Sequence, residues 1–129
     1  MNNSRYTEGL KKLSEVDGDA GHQVIQSLKD IAPDLGTYII EFGFGDIYSR
    51  EGLSLKEREL ITLSSLASQG CCEPQLRVHI KAALNVKCSP KEILETMMQL
   101  SLYVGFPKVL NAVFVVKSVF DELDINCKY

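Results

Sequence analysis

Three residues have the types and spacing that suit acid–base or thiol chemistry: Glu59, Cys72 and His79. In a helix, residues four and seven apart lie on one side, so Glu59 shares its face with Leu55, Leu63 and Leu66. A carboxylate centred on an apolar stripe is unusual, because burial without a partner is costly. Two readings follow: a satisfied ion pair, with Arg58 or Arg77 as partner, or a carboxyl group tuned for proton transfer. His79 stands seven residues after Cys72 and four after Gln75, and Ala82, Ala83 and Val86 complete that face. Small alanines beside a histidine leave the open volume that a pocket needs. A lone histidine is more often a core residue bonded to a carbonyl, but Cys72 and Gln75 on the same side favour chemistry. Cys72 falls at the N-terminal end of its helix, where the dipole favours a thiolate. Against this, cysteine is also a common inert core residue. Arg50 and Arg77 are candidates for binding a substrate carboxylate, although a solvated surface role suits each as well.

Other reactive types carry less. His22 lies in a glycine-rich turn and reads as solvated, while Cys88 and Cys127 have no convincing partners. Met97 and Met98 match helical core spacing. Phe42-Gly43-Phe44-Gly45 follows no strand and makes no phosphate loop. The spacings of Cys71, Cys72, Cys88 and Cys127 fit no zinc pattern, and a bridge between the adjacent pair would close a strained ring. No metal, nucleotide or flavin is implied, so no cofactor is expected.

The elements that must position these residues all read as helices. The first spans roughly 4–16 and stops at Asp17-Gly18-Asp19-Ala20-Gly21, and the second covers about 23–31, before Pro33. A third starts at Asp34 but is weakened by Gly36, Gly43 and Gly45. Ser54-Leu55-Lys56-Glu57 and Ser89-Pro90-Lys91-Glu92 both match the capping box. They open helices over about 54–69 and from residue 89, with another from Glu73 to near Asn85 between them. The last helix, from Pro107 to about Leu123, is apolar almost all round, which suits either a central helix or an oligomer interface.

The whole chain, 1–129, reads as one domain of ordinary globular composition, with 45% hydrophobic and 24% charged residues. A net charge of −3 supplies no basic field for nucleic acid. No apolar run approaches the ~20 residues needed to span a bilayer. The polar first residues lack a signal-peptide stretch, so a cytoplasmic location is expected.

Gly45-Asp46-Ile47-Tyr48-Ser49-Arg50, Leu55-Lys56-Glu57-Arg58-Glu59-Leu60 and Cys72-Glu73-Pro74-Gln75-Leu76-Arg77-Val78-His79 together resemble the carboxymuconolactone decarboxylase family. Ala83-Leu84-Asn85, Glu92-Ile93, Tyr103-Val104-Gly105-Phe106-Pro107 and Leu110-Asn111-Ala112 continue the match, which covers about 34–120 and leaves 1–33 as N-terminal helices. The resemblance implies an all-α bundle of about six to seven helices, of the alkylhydroperoxidase D-like type, assembled as a trimer or hexamer. It also implies a small-molecule substrate. Glu59, Cys72 and His79 match the glutamate, first cysteine and histidine of the Cys-x-x-Cys-x-x-x-His relatives, but Gln75 stands where their second cysteine would be. Without that resolving thiol the disulfide cycle cannot close within the motif. The leading expectation is therefore acid–base decarboxylation or isomerisation of a small carboxylated lactone. His79 would act as general acid with Glu59 behind it, and Cys72 and Gln75 would line the pocket. A thiol antioxidant acting through Cys72 and a non-catalytic oligomeric scaffold are the alternatives.

Overall fold

The computed structural model describes residues 3–129. Its helices run α1 (Ser4–Leu28), α2 (Pro33–Tyr38), a π-helical segment (Ile39–Ile47), α3 (Leu55–Gln69), α4 (Glu73–Asn85), α5 (Pro90–Val104) and α6 (Phe106–Glu122). The described residues contain no strand, so the fold is all-α. The chain divides into two compact units, Met1–Leu55 and Lys56–Tyr129.

In the first unit, the Asn3 side chain caps α1 by accepting from the Tyr6 N–H at 3.4 Å. The break expected over 17–21 is confined to a kink at Gly18, whose φ of 58° and ψ of −142° suit a residue without Cβ. Helix continues on both sides, so two expected helices form one bent element. Ala32 leaves helical geometry just before Pro33, as the proline ring requires. The helix expected from Asp34 is short, because after Tyr38 the backbone widens into nine residues of π-helix. This segment packs against α1 at very close range. A Cβ on Gly9 would collide with the Ile40 carbonyl oxygen, and one on Gly45 would fall 2.7 Å from the Arg5 carbonyl oxygen. Arg5 adds a two-pronged bond to Asp46, at 3.0 and 2.6 Å, which holds that carboxyl below its usual pKa.

The second unit contains the larger apolar cluster. Helix α3 buries Glu59, Leu63 and Ala67, a stripe of period four. Helix α4 buries Leu76, Ile80, Ala82 and Ala83, and α5 buries Ile93 and Met97. Helix α6 packs on α4 and α5 through Val109, Ala112, Val116, Val119 and Phe120. Burial of each large side chain here contributes about 1.5–3 kcal/mol. The capping box at the start of α5 is complete: the Glu92 N–H donates to Ser89 Oγ at 3.0 Å, and the Ser89 N–H donates to Glu92 Oε1 at 2.9 Å. Gly105, with φ 89°, makes the sharp break that separates α5 from α6.

One core expectation is corrected, and the last helix, for which a central place and an interface were both open, proves partly uncovered. Met98 is 50% exposed, because only its neighbour Met97 lies on the buried side of α5. Helix α6 is not wrapped on all sides, since Phe106, Leu110 and Phe114 face outward. No helix among the described residues is long and apolar enough to cross a membrane.

Candidate active site

The second unit brings Glu59 of α3 and His79 of α4 together, with His79 Nδ1 3.0 Å from Glu59 Oε2. The Glu59 side chain is fully buried, whereas His79 keeps 20% of its side-chain surface exposed. The pair thus joins the interior to the solvent-facing side of α4. Glu59 reaches this position because it replaces an apolar residue at one step of the α3 stripe. His79 reaches it because Leu76 and Ala83, three before and four after, seat that side of α4 in the core. A bond between Nδ1 and a carboxylate fixes the tautomer and orientation of the imidazole.

Gly70, at φ 72°, ends α3, and Cys71 follows in a left-handed conformation at φ 55°. Cys72 occupies the N-cap of α4 but makes no side-chain capping bond. It is half-buried, and Cys71 is exposed. At 1.5 Å rise per residue, Cys72 and His79 lie about 10 Å apart along α4, on the same side. No hydrogen bond joins the thiol to the Glu59–His79 pair. Gln75, between them on that side, is exposed.

The arginines lie elsewhere. Arg77 is two residues from His79, a separation that points the two side chains away from one another. Its guanidinium donates to Ser118 Oγ at 2.7 Å and pairs with Glu122, which also accepts from Lys81 Nζ at 2.9 Å. The Lys81 hydrogen bond, aided by Arg77, holds the Glu122 carboxyl below its ordinary pKa. Arg77 therefore does not serve as the partner of Glu59. Its side chain instead lines an open, mostly apolar groove of about 650 Å³ with Glu73, Pro74, Asn111, Phe114, Val115 and Ser118. Glu59 and His79 are not among the groove's lining residues. Arg50 is exposed in the first unit, where its N–H donates to the Ile47 carbonyl at 3.1 Å. Sequence reading missed Ser118 and Glu122, although Arg77 and Lys81, four apart, signalled a shared anionic partner.

The remaining reactive residues are structural or solvated. The buried Cys88 thiol donates to the Lys56 carbonyl at 3.6 Å, and burial pushes its pKa up to about 11. Exposed His22 has Nε2 2.6 Å from Ser14 Oγ.

Comparison with known proteins points the same way as this arrangement. The family model described as "Carboxymuconolactone decarboxylase family" matches residues 33–118. A 4-carboxymuconolactone decarboxylase of Acinetobacter baylyi is 33% identical over 122 residues, covering 94% of this chain and 90% of that protein. An uncharacterised 15.0 kDa protein of Paracoccus denitrificans is 34% identical over 104 residues, covering 80% and 78%. A nitrosuccinic acid decarboxylase of Metarhizium robertsii is 26% identical over 121 residues, covering 92% and 82%. With a helical fold throughout, a buried glutamate bound to a partly exposed histidine, and a match that spans most of its length, the chain belongs to the carboxymuconolactone decarboxylase family.

Proposed function

We propose that this protein is a carboxy-lyase acting on a small carboxylated lactone or a closely related acid, with His79 as the general acid. The observation that carries the reading is the 3.0 Å bond between His79 Nδ1 and the buried Glu59 carboxylate. Two relatives with chemically different acids in their names are both called decarboxylases, which supports loss of carbon dioxide as the common step.

Decarboxylation breaks the bond to the carboxylate carbon and leaves its electron pair on the substrate as an enolate. That enolate must take a proton at carbon. An imidazole is suited to deliver it, because its ordinary pKa of about 6.5 lies near working pH, and such catalysis is worth ~100- to 10,000-fold. Glu59 holds the ring in one orientation, while Cys72 and Gln75 line the approach along the same side of α4. The Arg77 charge is shared with Glu122, so a substrate carboxylate near His79 relies on other donors. Arg50 remains a proposed contributor to substrate binding.

We also infer that copies of the chain assemble, because Leu102 of α5 and Phe106 and Phe114 of α6 are each more than 60% exposed. Exposed large apolar side chains beyond scattered single ones mark interaction surfaces.

The test is His79→Asn assayed for carbon dioxide release from 4-carboxymuconolactone. Asparagine can still donate to Glu59 but cannot act as an acid at neutral pH. Turnover should fall at least ~100-fold while the melting temperature stays close to wild type. Unchanged turnover in the folded variant would remove His79 from the mechanism. Absence of carbon dioxide release by wild type would limit the substrate class to other acids.

A further inference from the structure

We propose that Cys71 and Cys72 together form a dithiol site for trivalent organoarsenicals, separate from the Glu59–His79 pair. The two cysteines are adjacent in the turn between α3 and α4. Their Cα atoms are therefore about 3.8 Å apart, the distance across one trans peptide, so one arsenic atom can bridge both sulfurs without bringing distant elements together.

The structure leaves this pair ready to react. Cys71 is exposed and Cys72 half-buried, and neither thiol makes a hydrogen bond. Both residues line one small cavity, together with Leu66, Ala67, Leu76 and Ala112 on its apolar side. Lys108, Asn111 and Glu73 supply its polar rim. The Lys108 side chain passes over Gly70, with its ammonium donating to the Ser68 carbonyl at 3.0 Å. A cation thus lies beside the turn, and the cavity, at about 10 Å³, has room for no more than one water, so an aryl group on arsenic stays outside it on the exposed Cys71 side. The other two cysteines differ. Cys88 is buried with its thiol bonded to a carbonyl, and Cys127 stands in the segment after α6, remote in sequence from any other cysteine.

The chemistry balances without an oxidant. Phenylarsine oxide reacts with two thiols: two arsenic–sulfur bonds form, the arsenic–oxygen bond breaks, and the oxygen leaves as water with both thiol protons. Arsenic stays trivalent throughout. A monothiol forms only one such bond, and loss of the second anchor costs the effective-concentration gain, on the order of 100-fold or more.

The experiment uses the full-length reduced protein, phenylarsine oxide as probe, and mass spectrometry with a thiol count. One arsenical should bind per chain with loss of two titratable thiols, and 2,3-dimercaptopropanol should reverse it. Maleimide labelling of the complex should find Cys71 and Cys72 protected. Cys71→Ser and Cys72→Ser should each weaken binding roughly 100-fold. The Cys88→Ser/Cys127→Ser double variant should bind as wild type does. Loss of one thiol only, protection of other cysteines, or wild-type affinity in either single variant would each overturn the proposal. The mapping uses wild type, so it decides even if a variant fails to fold. No readout depends on turnover, so the result is independent of the lyase reading.

Discussion

A carboxylate with no solvent exposure survives only if protein groups replace its hydration, and at Glu59 one such group is His79 Nδ1 at 3.0 Å. Removing one partner from a buried pair of this kind costs about 3–5 kcal/mol. That magnitude makes His79→Ala a poor probe of chemistry, because the variant would lose stability as well as an acid. Glu59→Gln is more informative, since it keeps the shape and an acceptor oxygen while removing the charge. As a positioning residue, Glu59 should affect rate by about 10- to 100-fold. The loss should fall on kcat rather than KM, because a ring free to turn is misaligned at the proton-transfer step and not in binding. A rate loss that only tracks the loss of folded protein would mean that Glu59 acts only in folding. Sequence spacing identified both residues and offered Arg58 or Arg77 as an ion-pair partner of Glu59, while the family resemblance set Glu59 behind His79. The bond to His79 depends on how α3 and α4 pack, which no spacing within one helix encodes.

At the scale of elements, helix starts and stops were the most legible features. The capping box at Ser89–Glu92 and the breaks at Gly70 and Gly105 follow from local chemistry, since each depends on residues a few positions apart. The π-helical segment was not legible. Its glycines suggested a weak helix, whereas Gly45 lets the segment approach the Arg5 carbonyl of α1 and Gly43 meets nothing. Gly9 and Gly45 exist for close backbone approach, which a sequence window cannot reveal. Gly9→Ala should therefore destabilise the protein by at least ~1–3 kcal/mol, despite alanine's higher helix propensity. Urea unfolding with an unchanged slope and a lower midpoint would confirm the cause. An unchanged or higher midpoint would show that α1 and the π segment separate without penalty.

For the whole molecule, the decisive feature is apolar surface left uncovered. Met98, Leu102, Phe106, Leu110 and Phe114 recur every fourth residue and are all exposed. Three of them lie on α6, the helix whose composition called for more cover than one bundle provides. Sedimentation should give a mass that is a multiple of the 14.4 kDa chain. Phe114→Asp, which places a charge at the end of the exposed α6 stripe, should shift it toward the monomer, since a desolvated unpaired charge costs several kcal/mol per interface. A wild-type monomer at micromolar concentration would show that the stripe serves something else.

Composition, periodicity and motif order determined the all-helical class and the family, and singled out Glu59 and His79 as candidates, because these rest on local propensity and on spacing within single helices. Tertiary structure alone decided that Glu59 bonds His79 through Nδ1, that Arg77 is held by Ser118 and Glu122, and that Met98 faces solvent while Met97 does not. Each of those outcomes depends on which side of a helix its neighbours cover, and that is set by packing between elements distant in sequence.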